Sequence, residues 1–135
     1  MPGSAEMDAR PPRGAAEFEI RASEPDARTS VVTVAGELDL STAPRLKRML
    51  LDALQTGHSR LVVDLSGATF MDSTALGVLV GVRRALEVGE QLTIVCPRGD
   101  VLQIFELTGM RDAFAIVATQ DEALGGARGD RAHAG

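Results

Sequence analysis

The chain has 135 residues, a length suited to a single domain. Hydrophobic residues make up 44% of it, with four Phe and no Trp or Tyr, so aliphatic side chains must build the core and a base-stacking surface for nucleic acid is poorly supported. The net charge is −5 with acids and bases interspersed, which provides no basic stripe for phosphate backbones or anionic membranes; no apolar run is long enough to span a bilayer, and a single cysteine excludes an internal disulfide and a cysteine metal cluster.

Pro, Gly and charge fill Met1 to Gly14, where a secretory leader would be apolar, so a cytoplasmic protein is expected. Residues 1–16 read as a flexible lead-in, 17–124 as the domain and 125–135 as a flexible tail. The RGD tripeptide at Arg128 to Asp130 is attributed to chance.

Phe18, Ile20 and Ala22 alternate with polar neighbours and predict a strand over Glu17 to Ser23. Glu24 to Ser30 has turn chemistry, and Val31 to Ala35 predicts a second strand, giving a hairpin punctuated by Gly36. Asp39 or Ser41 is expected to cap a helix with Pro44 in its first turn and Ala43, Leu46, Leu50, Ala53 and Leu54 as its apolar stripe, closed by Gly57. Arg60 to Asp64 and Gln91 to Cys96 are short runs with consecutive apolar residues, the pattern of strands buried on both faces of a parallel sheet. Between them a helix is predicted over Ser73 to Val88. Leu76, Leu79, Val80 and Leu86 give it one face, and Arg83, Arg84 and Glu87 mark its outside. Its first half is apolar almost all round, more than packing on a sheet requires. Gly77 and Gly81 are expected to allow close approach of a strand or neighbouring element. A third helix (Val101 to Leu107), a last strand (Phe114 to Val117) and a short helix with a Thr119–Glu122 capping box complete the chain. The fold class is α/β: a layered domain with a mixed, largely parallel sheet of about five strands and about four helices.

Catalytic patterns are sparse. His58 lies in a loop and His133 in the tail, neither patterned with a Ser or Cys nucleophile. HExxH, CxxC, GxGxxG and GxxxxGK[ST] are all lacking. Asp64 is placed at a strand end. The acidic cluster and strand-end Lys of a phospho-accepting aspartate are missing, so it reads as a turn or strand-end residue. Cys96 reads as a small hydrophobe in a buried strand. The segment that stands out is ATFMDSTALG at Ala68 to Gly77. Asp72, Ser73 and Thr74 are all capping types at a helix start, where free N–H groups and the helix dipole can hold a phosphate. A plain cap is the competing reading.

FMDSTALGVLV at Phe70 to Val80 resembles the phosphorylation segment of bacterial anti-sigma factor antagonists, the small single-domain members of the STAS (sulphate transporter and anti-sigma factor antagonist) family. GELDLSTAP at Gly36 to Pro44 is similar to the family's segment after its second strand, and PRGDVLQIFELTGMRDAFAI at Pro97 to Ile116 to its third helix and last strand. The resemblance implies that Ser73 is the phosphoacceptor, with Thr74 a secondary candidate. It implies a partner surface of Glu37, Asp39, Ser41, Thr42, Asp72, Ser73, Thr74, Leu76 and Gly77. Where the family usually has Gly after the DS[ST] triplet, this chain has Ala75, which bears on the fit to a partner. The implied partners are an anti-sigma factor serine/threonine kinase, bound in the unphosphorylated state so that a sigma factor is released, and a serine/threonine phosphatase that resets the switch. No cofactor or metal is implied, and no enzymatic activity, nucleic acid or membrane binding by the chain itself. Two alternatives stand beside it: a STAS interaction module that is not phosphorylated, and a phosphate-binding enzyme using the same helix start.

Overall fold

The computed structural model describes residues 18–125; the expected lead-in, most of the expected tail, the RGD tripeptide and His133 lie outside the described residues. Strands β1 (Glu19–Asp26) and β2 (Thr29–Leu38) form the antiparallel hairpin that their alternating and apolar runs require. The turn expected over Glu24 to Ser30 shrinks to Ala27 and Arg28. There the Asp26 carboxylate accepts from the Arg28 N–H at 2.8 Å and the Thr29 hydroxyl at 3.1 Å, which holds a tight reversal. Nor does Gly36 end the second strand. With φ at 101° it bends the strand, and pairing continues to Leu38.

Helix α1 (Ala43–Gln55) buries Ala43, Leu46, Leu50 and Ala53, the expected stripe, and Pro44 sits in its first turn without losing a hydrogen bond. Strand β3 (Arg60–Met71) departs most from expectation, because it does not stop at Asp64. Leu61 to Leu65 are buried, whereas the extension beyond pairs with β2 alone. Two register shifts against β2 absorb the extra residues. At the first of them a Cβ on Gly67 would stand 3.0 Å from the Val34 carbonyl oxygen and 3.3 Å from the Ala35 Cβ, a clearance only glycine provides. Asp64 is therefore internal to the strand and 5% exposed, not a strand end. Its carboxylate accepts from the Ser66 N–H (2.9 Å), the Ser66 hydroxyl (2.6 Å) and the Gln120 amide (2.7 Å), which satisfies the buried charge and ties the bulge to the end of the domain.

The remaining elements are α2 (Ser73–Ala85), β4 (Gln91–Val95), α3 (Asp100–Leu107), a 3-10 turn (Arg111–Ala113), β5 (Ala115–Val117) and α4 (residues 120–125). Helix α2 stops at Ala85 rather than Val88, since Leu86 is extended with ψ at 142°. The expected capping box is present at α4: the Glu122 N–H donates to Thr119 Oγ1 (3.1 Å) and the Glu122 carboxylate accepts from the Thr119 N–H (3.2 Å).

The sheet order is β1-β2-β3-β4-β5, with only β1 antiparallel to its neighbour. Each parallel crossover steps the same way across the sheet, and right-handed connections then put α1, α2 and α3 on one face. Their apolar sides meet Val32, Val34, Leu61, Val63, Leu92 and Ile94 in a single core. On the opposite face Val31, Val62 and Val95 pack with Ala123 of α4. Phe105 of α3 is wholly buried and meets Phe114 edge to face, ring centroids 5.7 Å apart. The α/β layered architecture, with a largely parallel sheet of five strands, is the one expected. No described helix is long and apolar enough to cross a membrane.

Candidate functional site

Parallel strands bring the loops that follow them to one end of the sheet. Leu38, the last residue of β2, pairs with Met71, the last of β3, and the Asp72 N–H donates to the Leu38 carbonyl at 3.1 Å. The GELD segment carrying Glu37 and Asp39 thus lies beside the D-S-T start of α2. In the sequence that proximity was conditional on parallel pairing.

Three capping types stand in a row at this start, and the structure selects one. Asp72 Oδ1 accepts from the Thr74 N–H (2.9 Å) and the Ala75 N–H (3.1 Å), so Asp72 is the cap and two free N–H groups are occupied by its carboxylate. Ser73 is the first helical residue. It is exposed, and its hydroxyl has no hydrogen-bond partner among the described residues. The plain-cap reading therefore belongs to Asp72, not to Ser73. Asp72→Ala should cost about 1 kcal/mol and lower Tm by roughly 4–6 °C in a thermal melt followed by circular dichroism. An unchanged Tm would show that the cap contributes nothing.

The facing loop is built around Asp39. Its Oδ1 accepts from the Ser41 N–H (2.9 Å), the Ser41 hydroxyl (2.8 Å) and the Thr42 N–H (3.1 Å). Above all the Ser41 hydroxyl, and then the loop N–H groups, hold the Asp39 carboxyl below its ordinary value, so the loop carries a full negative charge near neutral pH. Thr42 is half-buried. Its hydroxyl accepts from the Asp39 N–H (2.8 Å) and donates to the Glu37 carbonyl (2.7 Å). Of the two caps expected for α1, Asp39 works from outside the helix and Ser41 serves Asp39 rather than the helix. This bracing turns Leu40 outward, 73% exposed, and Phe70 on β3, paired with Glu37, is 47% exposed. Two large apolar side chains beside a ring of carboxylates were not singled out by the sequence patterns, because neither breaks a periodicity.

Other expected contact residues are placed differently. Leu76 is 7% exposed and packs into the core, so it offers a partner almost nothing. Ala75 is wholly buried, so its methyl, in place of the usual Gly, faces the interior and not a partner. Gly77 is exposed as expected, but neither it nor Gly81 serves close packing within the chain: a Cβ at either would meet nothing within 4 Å. They open instead onto a groove of about 470 Å³ between α2 and the Lys47–Leu51 edge of α1.

The remaining reactive types lie elsewhere. His58 is buried at the opposite end of β3, where Nδ1 lies 3.1 Å from Thr56 Oγ1 and Nε2 lies 3.4 Å from a Glu24 carboxylate oxygen. The largest depression, about 630 Å³, sits at the start of α3 between Cys96, Arg98 and Arg111 and includes no candidate site residue. Burial pushes the Cys96 thiol up to about 11 against the pull of Arg111, so it is a protonated packing group at neutral pH.

Comparison with known proteins places this geometry. The STAS domain model matches residues 20–123. The anti-sigma-B factor antagonist of Staphylococcus aureus is 38% identical over 86 residues, 63% of this chain and 80% of that protein. The crystal structure of an anti-sigma factor antagonist from Mycobacterium paratuberculosis superposes with a TM-score of 0.76 at 28% identity, covering 83% of this chain and 95% of that one. The Bacillus cell fate determinant SpoIIAA in its phosphorylated form shares the fold, with a TM-score of 0.62 at 23% identity over 78% of this chain and 96% of that one. The chain belongs to the STAS domain family and is similar, within it, to anti-sigma factor antagonists.

Proposed function

We propose that the chain is an anti-sigma factor antagonist acting in the cytoplasm, switched off by phosphorylation of Ser73. Unphosphorylated, it binds an anti-sigma factor that is a serine/threonine kinase and so releases a sigma factor. Phosphate on Ser73 ends that complex, and a serine/threonine phosphatase restores it. The chain is substrate and ligand in this cycle, not an enzyme.

The observation that carries the reading is the division of labour at the start of α2. Asp72 takes the capping role, which leaves the Ser73 hydroxyl exposed and unbonded at the first helical position. Around it lie Leu40 and Phe70, apolar enough to hold a partner, and Glu37, Asp39 and Asp72, which oppose added negative charge. A phosphoryl group adds about −1.5 to −2 charges at this point. Because the helix-start N–H groups already hold a carboxylate, the phosphate would meet repulsion where an uncapped helix would offer donors.

The test is incubation with the anti-sigma factor kinase and ATP, followed by mass-spectrometric mapping. Phosphate is expected on Ser73 of the wild type, and Ser73→Ala is expected to take up none and to remain bound. Phosphate mapped to another residue, with none on Ser73, would overturn the assignment.

A further inference from the structure

The groove between α1 and α2 has no counterpart in the switch chemistry, and the glycines on its floor are unexplained by folding. Glycine weakens a helix interior. A Cβ at Gly77 or Gly81 would meet nothing within 4 Å, so the chain's own packing gains nothing from either. The missing side chains matter only to a body approaching from outside. The walls are apolar and recessed: Val82 is 2% exposed, and Leu51 and Val78 are half-buried.

Charge indicates what fits. The two helices carry five cations, Arg45, Lys47, Arg48, Arg83 and Arg84, and one carboxylate, Asp52, on a chain whose net charge is −5. None of the five takes part in an ion pair among the described residues. Lys47 lines the groove itself, and Arg84 lies two helical turns beyond Gly77 on the same face. The surface is concave, apolar along its floor and cationic at its rim. That is complementary to a convex rod with an apolar stripe and acidic flanks, an amphipathic helix. A bilayer fits worse, because the exposed large apolar residues are Leu40, Phe70, Val88 and Leu107, none of them on α1 or α2. With 13 residues, α2 spans about 20 Å and would run alongside three to four turns of such a helix. Thr74 lines one end of the groove, next to Ser73, so the groove is continuous with the switch site.

We propose that this groove seats an acidic amphipathic helix of the anti-sigma factor, laid along α2 from its Ser73 end. The inference rests on the switch reading and extends it: Ser73 reports the charge state, and the groove supplies an anchorage that phosphorylation does not touch.

The test titrates the anti-sigma factor kinase against the wild type, Gly81→Leu and the double variant Lys47→Glu/Arg84→Glu at two salt concentrations, alongside Ser73 phosphorylation rates. Gly81→Leu fills the groove without a clash and trades glycine for a better helix former, so its Tm should rise by a few degrees. Its affinity for the kinase should fall about tenfold or more, and the double charge variant should bind at least as weakly with a flatter salt dependence. A folded Gly81→Leu that binds within about twofold of wild type would overturn the groove while leaving the Ser73 switch standing. A wild type that neither binds the kinase nor takes phosphate would overturn both. Cosedimentation with phosphatidylserine vesicles that Lys47→Glu/Arg84→Glu abolishes, with kinase affinity unchanged, would assign the face to a membrane and overturn the proposal.

Discussion

Ser73→Asp is expected to weaken binding of the anti-sigma factor by about 2–3 kcal/mol, or roughly 30- to 160-fold, without harming the fold. The residue is exposed at the first position of α2, and a carboxylate in a first helical turn is tolerated or mildly favourable. Stability should therefore stay within about 0.5 kcal/mol of wild type. Binding is different, because the new charge has to be desolvated next to Asp72 and close to the Glu37–Asp39 segment, where Asp39 is held ionised by its loop. Isothermal titration of the kinase against wild type, Ser73→Ala and Ser73→Asp separates the effects. Ser73→Ala should bind as wild type does, since no hydrogen bond of the described residues depends on that hydroxyl. Equal affinity for Ala and Asp variants would mean that charge at this position does not govern docking.

Phe105→Ala is expected to produce the opposite pattern, a large loss of stability with no direct effect on the site. Phe105 is wholly buried in the core beneath α3 and stacks edge to face on Phe114. Removing it leaves a cavity and costs about 3–5 kcal/mol, a large share of the 5–15 kcal/mol typical of a domain this size. Urea unfolding should show a lower midpoint with an unchanged slope. A cost under about 1 kcal/mol would mean that the neighbours collapse to fill the space, and that α3 is not a fixed part of the core.

Much of the fold was legible from local patterns, because those patterns have local causes. The stripe Ala43, Leu46, Leu50 and Ala53 repeats at helical spacing and is the buried face of α1. RLVVD and QLTIVC are consecutive apolar runs, and both strands are covered on two faces. The Thr119–Glu122 box is a contact between near neighbours and could be read directly. The extension of β3 past Asp64 could not. Ser66, Gly67, Ala68 and Thr69 have no apolar alternation, and they are strand only because β2 offers a backbone ladder and Gly67 lets it come close.

For the site, the sequence by itself determined the residue types: a serine behind an aspartate at a helix start, and an acidic segment ending in a helix cap. The tertiary structure decided which of Asp72, Ser73 and Thr74 is the cap, because that depends on where the helix begins and which carboxylate its N–H groups reach. It also decided that Leu76 and Ala75 face the core while Gly77 and Gly81 face outward, a rotation of α2 set by the sheet beneath it. Most consequentially, it gathered charge. Acids and bases alternate along the chain with no basic stripe, yet Lys47 and Arg84 share one surface because two right-handed crossovers put α1 and α2 on the same face. No one-dimensional reading can see such a face, since it is made by packing elements that are distant in the chain.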